Sequence, residues 1–151
     1  MTIIDNTLVL VDTSDDVTQS TGTHNLGDGA YDLGSLSNQH LIGAGQPVYA
    51  HIHVTESQTE STATVRFIFA TASKSDLSAN RHNILETEKM SATQLTKGAH
   101  YSYVLPVHDH YNRYLRVRGE YATAATDGLE VIIYLSSEPE GWQNLKDWRG
   151  T

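Results

Sequence analysis

The stretch Arg113–Ser137, RYLRVRGEYATAATDGLEVIIYLSS, decides the fold class. In its first arm Leu115, Val117 and Gly119 alternate with Arg116, Arg118 and Glu120, the period of two expected of a strand with one buried face. In its second arm, Leu129 to Leu135, the residues Val131, Ile133 and Leu135 fall on one side and Ile132 and Tyr134 on the other. Both faces are apolar, so this strand belongs in the middle of a sheet or under cover on both sides. A small, polar run ending in Asp127-Gly128 separates the arms, and glycine there supplies the positive φ of a connection. The two arms are expected to pair as antiparallel neighbours.

The same alternation recurs upstream. After Pro47, Val48, Ala50, Ile52 and Val54 alternate with Tyr49, His51, His53 and Thr55, and beyond a polar link Ala63, Val65, Phe67 and Phe69 share a face. These make a second expected antiparallel pair, with Phe67 and Phe69 in the core. Ile3 to Val11 reads as a short strand or an arm. Residues 12–46 are thick with Asp, Ser, Thr, Asn and Gly, a long excursion with short strands around Val17–Thr21 and Tyr31–Leu33. Ser75 to Asn80 suggests one helical turn with Ser75 or Asp76 as N-cap, Asn83 to Thr87 a short strand, and Tyr101 to Leu105 another, ended by Pro106. Seven to nine short strands with no long helix and no βαβ alternation point to a sandwich, jelly roll or barrel, and an all-β, jelly-roll-like two-sheet sandwich with long loops and terminal arms is the favoured expectation. Residues 1–137 form that jelly-roll domain with its N-terminal arm, and residues 138–151, which hold Trp142 and Trp148, form a C-terminal arm. An immunoglobulin-like sandwich is the competitor, but its Cys and Trp hallmarks are missing.

Composition narrows the chemistry. With 151 residues one domain is the default. Zero cysteines exclude a disulfide framework, a thiolate nucleophile and a Cys-type zinc site. No run of eighteen apolar residues exists, and the start MTIIDNTLVLVD lacks the features of a signal peptide, so neither membrane nor export is expected. The net charge of −8 is placed unevenly: residues 1–65 hold eight acids and no Lys or Arg, whereas the remainder holds ten of each. An acidic half disfavours phosphate-rich partners, so nucleic acid is not an expected ligand.

Eight histidines are the one unusual count. His51 and His53 lie two apart on an expected strand, which puts both imidazoles on one face. With Gly45 before them and Glu56 after, GQPVYAHIHVTE partly resembles the first metal motif of cupins, implying a cupin-like metal-binding enzyme using His51, His53 and Glu56. The spacing from His53 to Glu56 is one residue short and no second cupin motif follows. The competing reading places the pair on a solvent or partner face opposite Val48, Ala50, Ile52 and Val54. His108-Asp109-His110 can ligate zinc or act as a base, but after Pro106 these are also ordinary turn residues. No G-x-S-x-G elbow is present. Arg113, Arg116 and Arg118 form either a solvated strand face or a docking stripe for an acidic partner, including the acidic half of a second copy.

Several segments taken in order resemble the Bbp16-like capsid cement or head-decoration proteins of tailed phages: IIDNTLVLVD, YDLG at 31–34, GAGQPVYAHIHVTES at 43–57, ATVRFIFATAS at 63–73, LTKGAHYSYVLP at 95–106, RYLRVRGEY at 113–121 and the GLEVIIYL strand. The resemblance implies a jelly-roll protein with no enzymatic activity, no cofactor and no metal. It implies a virion location on the outer capsid surface after synthesis in the host cytoplasm, association as a homodimer, and clamping of neighbouring copies of the major capsid protein. A jelly-roll carbohydrate- or receptor-binding virion module is the remaining alternative. The tail with Trp142 and Trp148 lies outside the resemblance; large rings there suit either an interface arm or packing on the tail's own domain.

Overall fold

The structure, a computed structural model, describes residues 9–33, 47–106 and 111–136. Among these residues nine strands follow one another: β1 (Val9–Val11), β2 (Gly22–Asn25), β3 (Tyr31–Asp32), β4 (Tyr49–Glu56), β5 (Thr64–Ala72), β6 (His82–Glu86), β7 (His100–Val104), β8 (Tyr114–Ala122) and β9 (Glu130–Ser136). They form two antiparallel sheets. Sheet A has the order β1-β9-β4-β7; sheet B has the order β2-β8-β5-β6, with β3 also paired to β8.

This order is that of a chain doubled back on itself before it rolls. β1 pairs with β9, β2 and β3 with β8, β4 with β7, and β5 with β6. Four nested antiparallel pairs thus make one long ribbon closed at the β5–β6 turn. Rolling the ribbon sets β4 beside β9 and β5 beside β8, in registers that run from Tyr49↔Ser136 to Glu56↔Glu130 and from Thr64↔Ala122 to Ala72↔Tyr114. The result is the two-sheet jelly roll expected from the sequence, and its pairing differs from the alternating hairpins of an immunoglobulin-like sandwich.

Two local expectations fail for the same reason. The arms around Asp127-Gly128 are not partners: β8 lies in sheet B and β9 in sheet A. Nor are the arms around Glu56–Ser61, since β4 lies in sheet A and β5 in sheet B. Each link carries the chain across the sandwich instead of turning it within a sheet. A sheet separation of about 10 Å is spanned readily by a seven-residue link. Gly128 does have positive φ, at 72°.

The inward faces fit the alternation. Leu115, Val117 and Tyr121 of β8, Val65, Phe67 and Phe69 of β5, Ala50, Ile52 and Val54 of β4 and Val131 and Ile133 of β9 fill one core. Gly119 occupies an inward position because the Tyr121 ring lies over it, 2.5 Å from where a Cβ would stand. That ring's hydroxyl donates to the Val17 carbonyl at 2.9 Å. Val17 is buried as a loop residue; the strand placed at Val17–Thr21 begins later, at Gly22. The helical turn expected at Ser75–Asn80 is absent as well. Asp76 accepts from the Ser78 N–H, Leu77 takes a φ of 61°, and its side chain covers Ala70 and Ala72 on the outer face of β5. A single turn bond, from the Leu77 N–H to the Lys74 carbonyl at 3.0 Å, is all that precedes it.

The two ends of the sandwich are unlike. At one end all four crossing links are bonded to one another. Gln58 N–H donates to Leu95 O at 2.9 Å and Thr59 N–H to Asp127 O at 3.0 Å, while Gln19 and Thr126 bond reciprocally through Thr126 Oγ1 and Gln19 O. The other end carries the β5–β6 turn and every point at which the chain passes out of the described residues: Val9, Leu33, Pro47, Pro106, Tyr111 and Ser136. Of the short strand or arm expected at Ile3–Val11, Val9–Val11 is strand β1; the rest of it, the expected arm at 138–151 and the boundary between domain and tail lie outside the described residues.

Candidate functional site

Two surfaces hold the residues singled out from the sequence. On β4, Ala50, Ile52 and Val54 enter the core, so Tyr49, His51 and His53 face outward from sheet A. Register brings His100 of β7 opposite His53 and Ser102 opposite His51, while Tyr134 of β9 lies opposite His51 on the other side. The outer face of sheet A is consequently a patch of rings. His51 and Tyr134 are both fully buried, and their rings stack at 4.8 Å with planes 14° apart.

The expected His51 and His53 pair does share a face, but His51 engages another imidazole. His51 Nδ1 lies 3.1 Å from His100 Nε2 and 3.0 Å from Ser102 Oγ. The His51 and His100 centroids are 5.2 Å apart with planes at 12°. The two imidazoles are thus nearly parallel, with these nitrogens within hydrogen-bonding reach of each other. A metal would need about 2.0–2.1 Å to each nitrogen with both lone pairs aimed at one point. Burial, followed by the fields of His51 and His53, pushes the His100 imidazole down to about 4.

Glu56 does not join this cluster as a ligand. It accepts an ion pair from Lys97 at 2.7 Å on the exposed rim. Among the described residues no group of three or more His, Asp or Glu is placed to hold a metal ion. The carboxylate half of the cupin-like set is therefore engaged elsewhere. Gly45 and His108-Asp109-His110 lie outside the described residues, as do Trp142 and Trp148.

The three arginines spread over sheet B, and each is tied within the chain. Arg113 grips Asp32 with two parallel bonds, Nε to Oδ1 at 3.0 Å and a second guanidinium nitrogen to Oδ2 at 2.9 Å. Arg116 donates to the carbonyls of Leu26 at 3.1 Å and Gly27 at 2.7 Å. Arg118 Nε donates to Asn25 Oδ1 at 3.0 Å. All four partners belong to the acidic, arginine-free first half of the chain. The charge asymmetry seen in the sequence is thus partly settled in cis, because the nested ribbon lays β2 and β3 against β8.

His100 is the residue that the sequence reading missed. Its signal was the alternation His100, Ser102, Val104 against Tyr101 and Tyr103, which fixes a shared face but does not say which strand lies beside it.

Residues 11–131 match the model of the Bbp16 family, which is most of the chain. No curated protein matches it.

Proposed function

The chain belongs to the Bbp16 family, and from that premise we propose that it is a virion structural protein, a cement or decoration protein on the outside of an icosahedral phage head. It acts by clamping neighbouring copies of the major capsid protein, as a homodimer and without catalysis. The observation that carries the reading is the family match over residues 11–131 on a two-sheet jelly roll.

The physical requirements of a clamp suit this body. One end is stiff, with four crossing links bonded to one another. The opposite end holds Val9, Leu33, Pro47, Pro106, Tyr111 and Ser136, the points at which the described residues stop, together at a single pole. Several modest contacts tethered to one rigid body add up through effective concentration, with no single strong site required. The 15 residues beyond Ser136 include Trp142 and Trp148, side chains of the type that dominate interface energies.

The test is reconstitution. Full-length protein added to heads assembled without it should co-sediment with them and raise the temperature at which they rupture. A chain ending at Ser137 should fold and melt like the full-length domain but bind heads more weakly. Full-length protein that stays in the supernatant at saturating concentration would overturn the reading.

A further inference from the structure

The outer face of sheet A gathers three imidazoles from two strands. His51 and His100 face each other nitrogen to nitrogen at 3.1 Å, and the His53 ring lies 6.2 Å from that of His100 at 66°. An imidazole–imidazole hydrogen bond needs one nitrogen with a proton and one with a lone pair. Adding a proton to the accepting ring turns the contact into two N–H groups aimed at each other. It also places a cation beside two further imidazoles, next to a His51 ring that has no exposed surface.

The groups facing His100 offer little relief. Among the described residues these are His51 and His53 of β4 and Ser102 of its own strand, with Tyr49 and Tyr134 lying against His51 on the same face. The nearest charged side chain along the chain, Lys97, is a cation already joined to Glu56 at 2.7 Å. The electrostatic influences on His100 come from His51 and His53, both of which oppose a positive charge. The strand that carries His100 is also an edge strand: among the described residues β7 ends sheet A and pairs with β4 alone.

We propose that His51, His53 and His100 form a proton-sensitive latch that holds the edge strand β7 on β4 near neutral pH and lets it go on acidification. An imidazole in the opened chain titrates near 6.5, whereas His100 in the closed face is held down to about 4. The opened state therefore takes up a proton first. The latch is at full strength above about pH 6.5 and weakens as the pH falls from there toward 4. It is a property of the isolated domain and does not depend on the capsid reading.

Amide hydrogen exchange on the free protein tests it, with His100→Gln as the control that keeps a side-chain donor and cannot titrate. Between pH 7 and pH 4.8 the protection factors of Tyr101–Val104, taken relative to those of β8, should fall about thirtyfold in the wild type. The fall should be clearly smaller in the variant, which loses the His100 proton but keeps His51 and His53. Equal losses in the two proteins would overturn the proposal. Should the variant fail to fold, an NMR titration of the wild-type imidazoles decides alone: His100 charging below about pH 5, with the His51 signals moving in step, supports the latch, and His100 charging near 6.5 overturns it.

Discussion

On the outer face of sheet A the rings of His51 and Tyr134 are sealed from solvent, whereas on the outer face of sheet B Arg116 and Arg118 lie half-buried and reach sideways to Leu26, Gly27 and Asn25. The two faces hold their strands by different means. Sheet A stacks rings across β7, β4 and β9, so burial of large apolar surface binds strands that already share full ladders. Sheet B uses guanidinium forks to hold short strands, the four residues of β2 and the two of β3, which have little ladder of their own. Burial should thus dominate the first face and directed hydrogen bonds the second.

Three substitutions sharpen that contrast. Tyr134→Ala removes a fully buried ring and should cost about 3–5 kcal/mol in denaturant unfolding; a loss below about 1 kcal/mol would mean that the patch does not seal sheet A. Arg116→Ala removes two charge-assisted bonds to backbone carbonyls from a half-buried residue and should cost about 1–2 kcal/mol. That loss should be localised, with amide exchange rising in β2 and β3 before β5. Arg113→Ala breaks an exposed fork to Asp32 and should cost under about 1 kcal/mol, an effect that shrinks further in 1 M salt. If Arg113→Ala proves more damaging than Tyr134→Ala, the division between the faces is wrong.

Periodicity made the strands and their inward faces legible. Leu115, Val117 and Gly119 could be assigned to the core because a period of two leaves no other arrangement for a half-buried strand. Pairing was not legible to the same degree. Sequence neighbours usually pair, and Asp127-Gly128 has the chemistry of a turn, yet β8 and β9 belong to different sheets because their partners are fixed by the nested ribbon. The imidazole cluster shows the same limit. The shared face of His51 and His53 follows from their spacing, but the partner that gives His51 its chemistry is 49 positions away. Similarly, local propensity around Leu77 favours a helical turn, whereas its burial against Ala70 and Ala72 comes from tertiary packing, which local propensity does not carry.

The central claim, a rigid jelly roll that works from the surface of a phage head, is tested most directly by electron cryomicroscopy of intact virions carrying this protein. The account predicts a two-sheet sandwich on the outside of the shell, with the pole that bears Val9, Pro106 and Ser136 turned toward at least two copies of the major capsid protein. Virions whose outer shell lacks the sandwich, or which carry it inside the head, would contradict the account.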